Sequence, residues 1–392
     1  MDTVRKTDSY VMNTYARKGV CFAKGSGCRL WDENGKEYLD FLAGIAVCGL
    51  GHCHPDVTRA LSAQAETLVH VSNLFYTRPA SDLAQKLCEN SFADKVFFSN
   101  SGAEANEAAI KLVRRYFQKK GETGRTRIIT MKQSFHGRTM ATLSATGQEK
   151  IKQGFEPVLP GFVHVPFNDM DALEKEMGDD VCAVMVEPVQ GEGGVIPAAP
   201  GYLEAVRKLC DEKGALLIFD EVQTGMGRCG RLFAHQAYNV TPDIMTLAKS
   251  LGNGLPIGAM LASNRAAEGF DKGSHASTFG GTPLVAAAAL AVLDIVAEES
   301  FLARVRKTGG YLKEKLYALQ KQSNAVKEIR GLGLLVGMEI EADADDIVEK
   351  CLKKGFIINA IQGKIMRFAP PLIVTEEEID QLADVLSDLL GR

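Results

Sequence analysis

Residues 215–254 read ALLIFDEVQTGMGRCGRLFAHQAYNVTPDIMTLAKSLGNG. One apolar run, Leu216-Leu217-Ile218-Phe219, ends on Asp220, and a second, DIMTLA over 243–248, ends against Lys249 and a glycine-rich turn. Short continuous apolar runs of this kind are expected of strands buried on both faces of a mainly parallel sheet. Similar runs occur at 95–99 (KVFFS), 126–131 (TRIITM), 181–187 (VCAVMVE) and 257–262 (IGAMLA). Helical patterns at 104–118, 201–213 and 282–298 are interspersed with them. Strands alternating with helices give an α/β class, with helices flanking a central sheet.

Outward from this core the texture changes. Residues 20–50 read as short strands, and KEYLDFLAGIAV after the Asn34-Gly35 turn signal suggests a hairpin. Beyond 300 come a charged amphipathic stretch (301–325), a Gly-punctuated strand region (327–340), a helix near 344–354, short strands near 356–368 and a last helix from about 376. The expected division is an N-terminal segment, 1–55, belonging to a smaller α+β domain; a large α/β domain, 56–300; and the rest of the small domain, 301–392.

A net charge of −4 gives no electrostatic reason to expect nucleic acid or an anionic membrane as partner. No apolar run approaches the roughly 20 residues of a membrane span. The opening MDTVRKTDSYVMNTYARKG lacks a secretory apolar stretch, and the expected location is cytoplasmic. Nine scattered cysteines without Cys-x-x-Cys argue against a disulfide framework in a chain this long. GHCHP at 51–55 could suggest metal, but no second ligand cluster has a matching spacing. A turn before a helix is the better reading, and no metal site is expected.

Three places carry chemistry. Ser101-Gly102-Ala103-Glu104 follows a strand and opens a helix, whose first amides lack intrahelical partners and can cradle a phosphate. Small residues at a helix start are also common without any ligand. Asp220 sits at the C-terminal end of a buried strand, where open α/β sheets place ligand contacts, although a helix cap or structural ion pair would put a carboxylate there too. Lys249, between an apolar strand and a glycine-rich turn, is oddly placed for a solvated charge. If buried near another cation it would become a nucleophilic amine.

A phosphate cup, an acid at a strand end and a lysine after the next strand are together what pyridoxal phosphate requires. With SGAEANEAAIKL, FHGRT, EPVQGEGGV, DEVQTGMGR, AKSLGNGLPIGA, STFGG and RFAPPL in that order, the chain resembles the class-III aminotransferases of fold-type I from about residue 10 onward. Within that family it is most similar to the members acting on N2-acetylornithine.

The resemblance implies a role for each matching residue. Lys249 would hold the cofactor covalently, and Asp220 would pair with its pyridine nitrogen. Gly102 and Ala103 would bind its phosphate, Phe135 would stack on the ring, and Gln223 would reach the ring's 3-oxygen. Thr278 would reach the phosphate across the interface of a homodimer, with Ser277 near the substrate. Arg138 and Arg367 would bind substrate carboxylates. Glu192 would neutralise Arg367 while the amine donor is bound, then swing away for 2-oxoglutarate. Val222 reads as packing, and Glu187 as structural or as a support behind the residues that touch the ligand. Ile45 stands where members acting on free ornithine carry a tyrosine, which points to an acylated donor or 4-aminobutyrate. The implied pathway is arginine biosynthesis, shared with lysine biosynthesis if succinyl-diaminopimelate is also a donor. Ornithine or 4-aminobutyrate transamination, an aminomutase and a non-catalytic cofactor-binding protein remain as alternatives.

Overall fold

A computed structural model describes residues 3–391. The ends of the expected division, residues 1, 2 and 392, lie outside the described residues.

Seven strands form the central sheet, in the order Lys95–Ser99, Gly258–Ala262, Ile244–Leu247, Leu216–Asp220, Val181–Val186, Arg127–Met131, Phe162–Val165. All pairs are parallel except those of Gly258–Ala262, which runs antiparallel to both neighbours. The strand Leu216–Asp220 is buried throughout. Its alternate side chains serve two cores, because successive strand residues point to opposite faces. Leu216 and Ile218 pack in one cluster with Ala108, Leu112 and Val113 of the helix Gly102–Lys119. Leu217 and Phe219 pack in the other with Leu203, Val206 and Cys210 of the helix Tyr202–Lys213. Each such full burial contributes about 1.5–3 kcal/mol before entropy is counted.

The seventh strand, Phe162–Val165, is absent from the sequence reading. It lies at the sheet's edge and is only half-buried over most of its length, so it lacks the continuous apolar run of its inner neighbours.

A second sheet, in the order Val326–Leu332, Leu335–Ile340, Ile365–Phe368, Asn359–Ile361, is antiparallel. The helices Glu299–Gln322, Ala344–Lys353 and Glu376–Leu390 supply its core. Cys28, Leu39 and Phe41 from the chain's beginning join the same core. The strand Phe356–Ile357 extends the N-terminal sheet by pairing in parallel with Glu37–Asp40.

The expected N-terminal hairpin forms between Arg29–Asp32 and Glu37–Asp40, with Gly35 left-handed in its turn. It does not continue through FLAGIAV. The strand stops at Asp40, and Ala43, Gly44, Ile45 and Ala46 all have positive φ, at 51°, 65°, 67° and 59°. Asp40 imposes that turn by accepting the amides of Leu42 and Ala43, both at 2.8 Å. GHCHP makes the expected turn, with His54 accepting from the Asp56 amide ahead of the helix Pro55–Thr67. Among the described residues no helix is long and apolar enough to cross a membrane.

Candidate active site

A cleft of about 510 Å3 opens beside the ends of these strands, and Gly102, Phe135, Arg138, Asp220 and Lys249 are among its lining residues. Asp220 is only 3% exposed. Its Oδ2 is bonded to Asn106 Nδ2 at 2.8 Å and His136 Nδ1 at 2.7 Å, while its Oδ1 accepts the Val222 amide at 3.0 Å. Asn106 is held in turn, donating to the His136 carbonyl and accepting from Thr246 Oγ1. Burial opposes a charge on His136, but the hydrogen bond and the charge of Asp220, helped by Glu187, push its pKa up. Asp220 therefore faces the cleft from a fixed frame.

Lys249 follows the strand Ile244–Leu247 with φ of 44°, a conformation uncommon for a residue with a side chain. Burial first, and the neighbouring Arg367 charge, lower its pKa to about 8, against the opposing pull of Glu192, Asp220 and Glu187. The amine is thus poised near neutrality as a nucleophile and base.

The helix Gly102–Lys119 points its N-terminus at the same cleft. Ser101 caps the Glu104 amide at 3.2 Å. The amides of Gly102 and Ala103 precede the first intrahelical bond and remain for a ligand. A side chain at Gly102 would strike Val222 Cγ1 at 2.7 Å, which favours glycine there, and Val222, read as packing, is half-buried and itself lines the cleft.

Phe135 is half-buried, its amide donating to Glu187 Oε2 at 3.1 Å. Arg138 is exposed, its guanidinium lies 5.7 Å from the Phe135 ring centre, and among the described residues it forms no ion pair. Arg367 is 1% exposed and reaches in from the second sheet. It pairs with Glu192 Oε1 through Nη1, donates to Asn359 Oδ1 at 3.1 Å, and meets Gln223 Oε1 at 3.4 Å. Burial would raise the pKa of Glu192, but the Arg367 charge outweighs it and holds the carboxyl below its usual value.

Three expected residues do not line the cleft of their own chain: Arg367 stands behind Glu192 and Gln223, which do, and Thr278 and Ser277 lie apart from it. Thr278 is exposed and Ser277 half-buried on an outer turn, which Asn73 ties down through the carbonyls of Ser277 and Gly280, both at 2.9 Å. Ile45 is 42% exposed on the left-handed turn, and Val47 from the same segment lines the cleft.

Sequence reasoning missed Asn106 and His136. A polar residue amid the alanines of a core-facing helix, and a histidine beside Phe135, were the available signals. Glu187, read as structural, lines the cleft and receives the amides of Phe135 and Gly191, the latter at 3.3 Å. Burial, then the negative charge of Asp220, raises its pKa against the influence of His136.

A buried amine of lowered pKa, a framed carboxylate and open helix amides around one cleft define a fold-type I pyridoxal-phosphate enzyme. The pattern of the family described as aminotransferase class-III matches residues 10–390, and the chain belongs to that family. It is 55% identical over 384 residues to the acetylornithine aminotransferase of Caldanaerobacter subterraneus subsp. tengcongensis, covering 98% of each chain. To that of Methanocaldococcus jannaschii it is 50% identical, covering 97% of this chain and 96% of the relative. The crystal structure of an ornithine aminotransferase from Toxoplasma gondii superposes with a TM-score of 0.95 at 36% identity, covering 98% of this chain and 93% of that one. The N-acetylornithine aminotransferase of Stenotrophomonas maltophilia gives 0.86 at 39% identity, covering 98% and 99%. The protein is a transaminase that uses pyridoxal phosphate, and its residues fit that cofactor. Asp220 Oδ1 keeps acceptor capacity toward the cleft, and the Gly102 and Ala103 amides are open to a phosphate.

Proposed function

We propose that the chain moves the δ-amine of N2-acetylornithine to 2-oxoglutarate, giving N-acetylglutamate 5-semialdehyde and glutamate, a cytoplasmic step of arginine biosynthesis. The ion pair that the buried Arg367 makes with Glu192, which lines the cleft together with an Arg138 unpaired among the described residues, carries this reading. Such an arrangement suits two unlike substrates in turn. Arg138 binds the α-carboxylate of the donor through its guanidinium fork. Arg367 stays neutralised by Glu192 until a dicarboxylate displaces that side chain.

Pyridoxal phosphate supplies an electron sink that makes the substrate's amine-bearing C–H acidic. Asp220 would keep the pyridine nitrogen protonated, Gln223 would bind the 3-oxygen and Phe135 would cover the ring face. Gly102 and Ala103 take the phosphate. Lys249 would hold the cofactor covalently, and its amine, with its pKa lowered to about 8, would serve as the base that takes up and returns the proton of the substrate's amine-bearing carbon.

The working unit is a homodimer, with Thr278 serving the phosphate across the interface and Ser277 near the substrate. Their exposure, beside Phe279 at 59%, supports this. The domain division 1–55, 56–300 and 301–392 is supported by the core that Leu39 and Phe41 share with the C-terminal helices.

The likeness to an ornithine aminotransferase structure favours free ornithine as a second donor reading. An apolar side chain at Ile45, beside the cleft-lining Val47, weighs against it, because it offers a free α-ammonium no hydrogen-bond acceptor. The test is the specificity constant for N2-acetylornithine, ornithine, succinyl-diaminopimelate and 4-aminobutyrate with saturating 2-oxoglutarate. N2-acetylornithine is expected to lead. A lead for ornithine or 4-aminobutyrate would overturn the donor assignment and leave the transaminase standing.

A further inference from the structure

Arg228 is among the largest fully buried side chains in the molecule, at 0% exposure. Among the described residues no carboxylate pairs with it. Asp40 acts on it only through its charge, and that carboxylate is already taken by His52 and the amides of Leu42 and Ala43. Burial lowers the Arg228 pKa to about 10, which still leaves it charged at neutral pH. Its Nη1 donates to the carbonyls of Leu334 at 3.0 Å and Pro370 at 2.6 Å, while Nε and Nη2 have no partner. Burying a cation without a counter-charge is costly, and an apolar side chain of similar volume would fill the space more cheaply.

Its connections identify what it holds. Arg228 belongs to the loop that begins with Asp220 and Gln223 on the seven-stranded sheet. Both of its acceptors flank strands of the other sheet. Pro370 follows the strand Ile365–Phe368, which carries Arg367, and Leu334 precedes the strand Leu335–Ile340, in which Gly337 is the register partner of Arg367. The Leu334 amide returns a bond to the Arg228 carbonyl at 3.0 Å. The backbones are pressed together: a side chain at Gly333 would meet that carbonyl at 2.4 Å. One guanidinium thus ties the Asp220 loop to the strand bearing Arg367 and to that strand's neighbour.

We propose that Arg228 is a positioning residue that sets Arg367 relative to Asp220 and Lys249, and so is required for the half-reaction in which Arg367 binds the keto acid. This rests on the role given to Arg367 above. A plain structural strut would lower stability and slow both half-reactions alike.

The experiment uses the holoenzyme with Arg228→Lys, Arg228→Gln and, as reference, Arg367→Lys. Each half-reaction is followed separately by its absorbance change in single turnover, and glutarate, a dicarboxylate that cannot react, is titrated as an inhibitor. Both Arg228 variants are expected to weaken 2-oxoglutarate and glutarate binding by about tenfold or more, with the donor half-reaction changed less than about threefold. Arg228→Lys keeps the charge and can still donate to the carbonyls, so the split remains readable if the Gln variant does not fold. Equal losses in both half-reactions, or unchanged glutarate binding, would overturn the proposal while Arg367→Lys still weakens glutarate. If Arg367→Lys leaves glutarate binding intact, the role of Arg367 falls and the proposal falls with it.

Discussion

The depressed pKa of Lys249 makes its chemistry measurable before any turnover. With a pKa of about 8, roughly a tenth of the amine is neutral at pH 7, whereas an ordinary lysine would have about one part in three thousand. Apoprotein, stripped of cofactor, should capture pyridoxal phosphate at a rate that rises with pH up to about 8 and then levels, because only the neutral amine attacks. Two neighbouring charges act on the amine with opposite sign: Glu192 raises its pKa and Arg367 lowers it. Glu192→Gln should therefore move the inflection down and Arg367→Gln should move it up. A charge several ångströms away at an effective dielectric near 20 is worth about one to two pKa units. The assay is stopped-flow growth of the bound-cofactor absorbance from pH 6 to 10. Rates are divided by those of Nα-acetyl-lysine with the same aldehyde, which removes the aldehyde's own titration. A wild-type inflection near that of free lysine, or variants that shift the same way, would refute this account. So would borohydride labelling of a lysine other than Lys249.

Two further outcomes are expected. His52 has its pKa raised to about 10, first by its hydrogen bond to Asp40 and then by one to Cys48, so its contribution to stability is complete below its unfolded value near 6.5 and is lost as pH rises through 10. Its partial exposure reduces that contribution to on the order of 2 kcal/mol, so His52→Gln should lower the melting temperature at pH 6 by a few degrees and by much less above pH 10, and equal losses at both would refute the linkage. Mixing Lys249→Ala with Thr278→Ala chains should restore part of the activity, since one site of each mixed dimer then carries both defects and the other neither; proven subunit exchange without recovery would remove Thr278 from the shared site.

Legibility in the sequence followed physical locality. Asp220 and Lys249 announced themselves because each ends a strand whose apolar run is buried on both faces, and the central strands are read from the same signal. The antiparallel direction of Gly258–Ala262 was not legible, since burial is the same whichever way a strand runs. Phe162–Val165 escaped because an edge strand needs no continuous apolar run. FLAGIAV looked like a strand by composition, but Asp40 captures two following amides and turns the chain left-handed, at a cost in strain that local propensity does not reveal. Asn106, His136 and Arg228 act through partners distant in sequence, which no local pattern reports.

The charges around Lys249 bear on the proposed use of one site for two substrates. Lys249 lies among Arg367, Glu192, Asp220 and Glu187, and its pKa near 8 is the balance of burial and the Arg367 charge against the three carboxylates. The Glu192 carboxylate answers the Arg367 charge in the structure. In the proposed exchange, Glu192 leaves only when the substrate's own carboxylate takes its place on Arg367. One anion replaces another at the same guanidinium, so the field on the Lys249 amine changes little between the half-reactions. A neutral capping group at position 192 would lack that property. It would leave Arg367 uncompensated in the donor complex, drive the Lys249 pKa lower, and weaken the amine as a base in one direction only.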